Sequence, residues 1–273
     1  MSRVHRTRLG RPGGLPAVFA HCFLGHSGTW SRLIAALRTP LDAQAFDMPG
    51  HGRSGAWGGQ GDLHAEVAAL VGRFVADPAL LIGHSFGGAA ALRFALDRPE
   101  RVTGLVLIEP VFFAVAAGEP EFAAHRAAEA MLHEAFATGD MQEAGRVFLA
   151  LNGDADAWDA LPEPQRAQIA RQMTMVAASV AGVHADSGGL AAPGRLEAFD
   201  RPVLLLDGAV SPPTFGAVNR ALARRLPRAC RVTLPGAGHM LPITHGPEVA
   251  DAIDRFLLDH GFARPGKPET RAG

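Results

Sequence analysis

Residues 79–92 read Ala79-Leu80-Leu81-Ile82-Gly83-His84-Ser85-Phe86-Gly87-Gly88-Ala89-Ala90-Ala91-Leu92. An apolar run stops at glycine, presents a single serine, and restarts as a helix-forming stretch. Residues 79–82 have the length and composition of a buried strand, and residues 87–96 keep helical periodicity up to the Arg98-Pro99 stop. A Gly-x-Ser-x-Gly pattern between strand and helix suits a turn so tight that side chains at the glycine positions would clash, which leaves the serine hydroxyl exposed at the sheet edge. Ser85 is therefore the candidate nucleophile. In a chain with 32 glycines such a pattern arises easily by chance, and the strand before it and helix after it give it weight.

The same alternation extends in both directions. Short apolar runs at 17–22, 43–46, 102–108, 202–206 and 230–234 read as further buried strands, with helical periodicity at 62–75 and 248–258. Strands alternating with helices imply an α/β fold, a mostly parallel central sheet with helices on both faces. Residues 111–199 differ: they are rich in Ala, Glu, Gln, Arg and Met, with helices expected at 120–137, 140–151 and 164–180 and no convincing strand. An insertion of this length after a strand is too long for a connecting loop. We expect a core at 1–110 and 200–262, a helical cap or lid at 111–199, and a flexible tail at 263–273.

Composition narrows the chemistry. The chain has 273 residues, 48% hydrophobic and 19% charged, enough apolar surface to exclude global disorder. Lys+Arg is 26 against 27 for Asp+Glu, a formal charge of −1. With no long basic run either, nucleic acid is an unfavourable partner. Only Cys22 and Cys230 are present, too few for a disulfide framework or thiolate zinc site, and reducing cytoplasm is the default expectation. The basic start MSRVHRTRLGR imitates a signal sequence, but Gly and Pro interrupt the stretch PGGLPAVFAHCFLG before a long apolar core can form. No window approaches the ~18 apolar residues of a membrane span. With 15 Phe, 3 Trp and no Tyr, no phenol is on hand as acid, oxyanion donor or nucleophile.

A serine hydroxyl is a weak nucleophile at neutral pH and needs a base, which in turn needs an orienting acid. Of twelve histidines, His239 has the best position: it follows the last strand in the loop PGAGHM, completing a Ser, acid, His order. His245, at the start of the next helix, is second choice, and His84 should point away from the nucleophile.

These features together resemble the α/β-hydrolase superfamily over nearly the whole chain. His21-Cys22-Phe23-Leu24-Gly25 is similar to the family's HGxxG oxyanion loop, and Asp47-Met48-Pro49-Gly50-His51-Gly52-Arg53-Ser54 to its D-x-P-G-x-G-x-S turn. The resemblance implies an oxyanion hole from the backbone N–H groups of Phe23 and Phe86. It assigns Asp47, His51 and Ser54 to shaping a turn, and leaves His26 at the surface or against substrate. Three departures stand out. Cys22 replaces the loop's usual glycine, one strand rather than two precedes residue 17, and Ser211 occupies the usual slot of the acid. Some branches of the superfamily, haloalkane dehalogenases among them, take the acid from the strand end after the nucleophile helix, which here is Glu109. Glu109 is the choice for the acid, with Asp207 its open rival and Asp186 a distant third.

Ser85, His239 and Glu109 would make a serine hydrolase acting through an acyl-enzyme, a carboxylesterase on a small, mostly apolar ester, with neither cofactor nor metal implied. Carbon–carbon bond hydrolysis of a ring-cleavage product uses the same triad and is the alternative. A non-catalytic ligand-binding protein on this fold is a further reading. A metal-dependent hydrolase lacks any HExxH-like spacing, and haloalkane or epoxide hydrolysis needs Asp where Ser85 stands. The sequence leaves substrate and oligomeric state open.

Overall fold

The computed structural model describes residues 3–262; the tail expected at 263–273 lies outside them. Seven strands form one sheet: β1 (Arg6–Gly10), β2 (Leu15–Ala20), β3 (Leu41–Phe46), β4 (Ala79–His84), β5 (Val102–Ile108), β6 (Val203–Gly208) and β7 (Ala229–Leu234). Their spatial order is β1-β3-β2-β4-β5-β6-β7. Only β1 runs antiparallel, pairing Arg6 with Phe46 and Gly10 with Asp42 at one edge of the sheet; all other pairings are parallel. One strand precedes β2, as the spacing suggests.

The inner strands are apolar on both faces because helices cover both; β7, expected at 230–234 as a buried strand, is instead an edge strand with Cys230, Arg231, Val232 and Thr233 exposed, since no strand pairs beyond it to bury them. Along β4, Leu81 joins one hydrophobic cluster while Leu80 and Ile82 join the other. In β5 the split is Leu105 and Leu107 against Val106 and Ile108. The period-two alternation of a strand, with both sets buried, explains why these segments read as unbroken hydrophobic runs. One face carries α2 (Leu63–Phe74), α3 (Phe86–Asp97) and α8 (Pro213–Arg225); the other carries α1 (Ser31–Ala36), α9 (Leu241–Thr244) and α10 (Gly246–Asp259). Asp62 caps α2 by accepting the Ala65 N–H at 3.0 Å.

Between β5 and β6 the chain forms α4 (Pro120–Thr138), α5 (Met141–Leu151), α6 (Ala157–Ala160) and α7 (Glu163–Val183). Gly139, in the left-handed conformation at φ 75°, ends α4, and Asp140 caps α5 by accepting the Glu143 N–H at 3.0 Å. The TGD triplet thus stops one helix and starts the next. After α7 the chain returns along the core: Ser187 bonds Asp62 at 2.7 Å, Arg195 pairs with Asp97, and Leu190, Leu196 and Phe199 are buried.

The chain leaves β2 outward to β3, comes back to β4 and continues to β5. The carboxyl ends of β2 and β4 therefore flank the point where strand order reverses, the crevice in which open α/β sheets place ligands.

Candidate active site

Ser85 occupies the turn between β4 and α3 with φ 55° and ψ −120°, a conformation that a residue with a side chain adopts at an energetic cost. The flanking glycines allow it. A Cβ on Gly83 would lie 2.5 Å from the Gly87 carbonyl oxygen, and one on Gly87 would lie 2.2 Å from that of Ala20. Ser85 N–H donates to the Ile108 carbonyl at 2.9 Å, tying the elbow to the end of β5.

Directly beyond that bond is Glu109, fully buried and also at positive φ, 43°. One carboxylate oxygen, Oε1, accepts the Gly208 N–H at 2.7 Å; the other, Oε2, lies 2.6 Å from Nδ1 of His239. The opposite ring nitrogen, Nε2, is 3.1 Å from Ser85 Oγ. Three residues from the ends of β4, β5 and the loop after β7 thus form one line of contacts: carboxylate, imidazole, hydroxyl. With Glu109 accepting at Nδ1, Nδ1 carries the proton and Nε2 is left to accept from Ser85, the tautomer that general-base chemistry requires.

The imidazole is held from two further sides. Phe215 of α8 stacks on it with ring centroids 4.2 Å apart and planes 16° from parallel. His84 Nε2 is 2.8 Å from the His239 carbonyl oxygen and donates to it. Burial, and then the neighbouring His239, lower the His84 pKa well below the ordinary histidine value, so it stays neutral.

The loop after β2 faces the elbow. Met48 N–H donates to His21 Nε2 at 2.9 Å, so Nδ1 bears the proton and donates to the Cys22 carbonyl at 2.7 Å. Burial, followed by His51, pushes the His21 pKa down to about 3, which keeps this neutral tautomer in place. Because N–H and C=O of a trans peptide point opposite ways, pinning the Cys22 carbonyl aims the Phe23 N–H away from it. Among the described residues neither Phe23 N–H nor Phe86 N–H has a protein acceptor. The two side chains stack at 4.3 Å and 15°, locking the loop after β2 to the first residue of α3. Cys22 does not add a nucleophile: burial pushes its thiol up to about 12.

The other residues singled out in the sequence lie elsewhere. Asp207 is buried, but its oxygens receive the Arg231 guanidinium in two bonds of 2.7 Å, together with Thr233 at 3.0 Å and Asn219 at 3.1 Å. Asp186 accepts the Leu190 and Ala191 N–H groups, and His245 bonds Thr244 Oγ1 at 2.9 Å between α9 and α10. His26 caps the 3-10 turn Ser27–Trp30. Asp47 accepts from Ser27 and Arg53 N–H, while Ser54 donates to the Asp47 carbonyl. His51 is buried beside them and ring-stacked on Phe23 at 5.9 Å. Ser211 Oγ is buried without a hydrogen-bond partner among the described residues.

Above Ser85, side chains of α4, α5 and α7 line a pocket together with Phe23, Val111, Phe113 and Phe215. Most of its wall is Phe, Leu and Val; the polar exceptions include His125, Glu129 and His184. Sequence reasoning missed Phe215, Gly208 and this polar group. None stands in a motif, and each acquires its place only through packing of distant segments.

The fold agrees with comparison to known proteins. A model of the alpha/beta hydrolase family matches residues 17–252, and the chain belongs to that family. It is 28% identical over 244 residues, 88% of the chain, to a pimeloyl-[acyl-carrier protein] methyl ester esterase of Nitrosomonas europaea, covering 93% of that protein. To Lipase LipV of Mycobacterium tuberculosis it is 36% identical over 110 residues, 39% of this chain. That match spans only 41% of LipV. Among solved structures, esterase RhEst1 from Rhodococcus sp. ECU1013 superposes with a TM-score of 0.68 at 21% identity, covering 94% of both chains. At that identity the likeness speaks for the fold.

Proposed function

We propose that the chain is a carboxylic-ester hydrolase working through an acyl-enzyme. The observation that carries this reading is the contact line Glu109 Oε2–His239 Nδ1 at 2.6 Å and His239 Nε2–Ser85 Oγ at 3.1 Å. Three residues separated by 130 and 154 positions meet in the order that nucleophilic acyl transfer needs.

In the first half-reaction Ser85 Oγ attacks the ester carbonyl carbon while its proton passes to His239 Nε2. Charge develops on the carbonyl oxygen, where the Phe23 and Phe86 N–H groups are free to donate; each such donor is worth about 10²–10³ in rate. The imidazolium, stabilised by the Glu109 carboxylate, returns the proton to the departing alkoxide, and the C–O bond breaks to leave an acyl-Ser85 ester and an alcohol. In the second half-reaction water gives a proton to His239 and its oxygen to the acyl carbon. Ser85 leaves with the proton, and a carboxylic acid is released.

The Phe-, Leu- and Val-lined pocket suits a small, mostly apolar substrate, with residues 111–199 serving as its lid. The full-length relative named a methyl ester esterase supports the same bond type. The test is labelling by a fluorophosphonate alongside turnover of a panel of esters of graded acyl length. Stoichiometric labelling and ester cleavage, both lost in Ser85→Ala, are expected. A folded wild type that is inert to both sinks the reading, and cleavage of a ring-cleavage dienone in preference to every ester redirects it to carbon–carbon bonds.

A further inference from the structure

Three of the polar side chains in the pocket wall, His125, Glu129 and His184, meet one another. His125 and Glu129 stand one turn apart on α4, and His184 follows the end of α7. His125 Nε2 lies 3.1 Å and His184 Nε2 3.2 Å from the same oxygen, Glu129 Oε1. The two imidazoles are parallel to within 4°, and Phe113 packs against both, with ring centroids at 4.6 and 4.8 Å. Phe113 is in turn 6.3 Å from Phe215, the ring stacked on His239. The group therefore shares Ser85's pocket, at its lid end.

Its hydrogen bonding is incomplete. Glu129 is 6% exposed, and among the described residues no protein donor meets Oε2. His125 is 8% exposed, and its Nε2 approaches Oε1 too obliquely to form a hydrogen bond. Burial raises the Glu129 pKa, but the two imidazoles beside it outweigh burial and lower it. The two imidazoles thus favour its carboxylate form. A buried charge beside apolar walls is costly unless its lone pairs are met. Pinning α4 to the end of α7 engages Oε1, and because Glu129 lines the pocket, Oε2 remains to meet a ligand.

A substrate methyl group placed against Oε2 would strip water from a charge and return nothing, and a substrate carboxylate would repel it. A hydroxyl or ammonium would donate to it, and hydrogen bonds to a charged partner are stronger than those between neutral groups. We propose that Glu129, framed by His125 and His184, is a specificity subsite for esters whose far end carries a hydrogen-bond donor, a hydroxyl or an ammonium group. The inference rests on the ester-hydrolase reading and deepens it: the substrate is apolar along its length and donor-tipped where it meets the lid.

The test compares kcat/KM for matched esters ending in methyl, hydroxyl, ammonium or carboxylate, over graded chain lengths and with the tip on either the acyl or the alcohol side. Wild type is expected to favour a donor tip over methyl by at least about tenfold at one length. Glu129→Leu, which removes the acceptor, should lower that ratio about tenfold; Glu129→Gln, which keeps an acceptor and removes the charge, should lower it more for ammonium than for hydroxyl. Hydroxyl and ammonium arms thereby separate the two donor sources. The same ratio in wild type and Glu129→Leu, or a preference for methyl or carboxylate tips, overturns the proposal. Should the variants fail to fold, equilibrium binding of the tipped esters to Ser85→Ala decides with an intact lid: equal affinities for hydroxyl and methyl tips overturn it. A wild type inert to all esters counts against the hydrolase reading instead, and the binding comparison still settles the subsite.

Discussion

The carboxylate of Glu109, completely buried at the end of β5, lies 2.6 Å from Nδ1 of His239, while Asp207 at the end of β6 is turned away into the Arg231 guanidinium. An amide at 109 would no longer hold the productive imidazole tautomer or stabilise its protonated form. Glu109→Gln should lower kcat by roughly 10³–10⁴. Asp207→Asn should keep kcat within severalfold and lower Tm instead, since a bidentate charged pair loses a partner at a cost of about 2 kcal/mol, reduced by the exposure of Arg231. Ester kinetics on both variants, with melting curves, check this. Collapse of turnover in folded Asp207→Asn alone would displace Glu109 from the role.

In the proposed mechanism His21, through its bond to the Cys22 carbonyl, positions the Phe23 N–H. His21→Asn should reduce kcat about 10–100-fold with KM nearly unchanged, because an oxyanion donor matters most as charge develops. Stability carries a second signature. The folded pKa of about 3 lies below the ordinary 6.5. Between those values the unfolded chain binds a proton that the folded chain refuses. The stability contribution is therefore full above about pH 6.5 and falls with pH by up to about 1.4 kcal/mol per unit until about pH 3. Urea melts across that window should show a shallower slope for His21→Asn than for wild type.

Asp62 joins three parts of the chain, capping α2, pairing with Arg93 of α3 at 2.8 Å and accepting from Ser187 at 2.7 Å. Burial alone would raise its pKa; the Arg93, Ser187 and Ala65 donors outweigh burial and bring it to about 2. A depressed carboxylate stabilises the fold above its unfolded value near 3.8, and that stabilisation is lost as pH falls through about 2. Allowing for solvent screening, Asp62→Asn should cost about 1 kcal/mol at neutral pH, with the difference from wild type vanishing below about pH 2. Thermal melts at neutral and acidic pH measure it.

Glycine at 87 is a packing requirement. An alanine Cβ there would lie 2.2 Å from the Ala20 carbonyl oxygen and 2.4 Å from that of His21, both backbone atoms that cannot yield separately. Gly87→Ala should destabilise by about 3 kcal/mol or yield no folded protein. Gly118→Ala, where a Cβ meets nothing within 4 Å, should be neutral. Equal tolerance at both positions would contradict the close approach of the elbow to β2.

The strands, the helices between β5 and β6 and the tight strand-to-helix turn at Ser85 were legible because their signals are local. A strand buried on both faces must be apolar throughout, as in β4 and β5, and a serine between two glycines marks a turn that few other residues permit. His239 could be chosen for the same reason, by its place after the last apolar run. The acid could not be separated from its rival locally, because Glu109 and Asp207 each end an apolar strand and differ only in where their side chains turn.

What the amino-acid order determined by itself is the α/β layering, the helical insertion, and Ser85 and His239 as candidates, since each depends on periodicity or on the conformational limits of neighbouring residues. The tertiary structure alone decided which carboxylate meets His239, that Phe215 stacks against the ring, and that His125, Glu129 and His184 converge over Ser85's pocket. Those relationships join residues far apart in the chain. Parallel strand register and helix packing set them, and no short stretch of sequence contains that information.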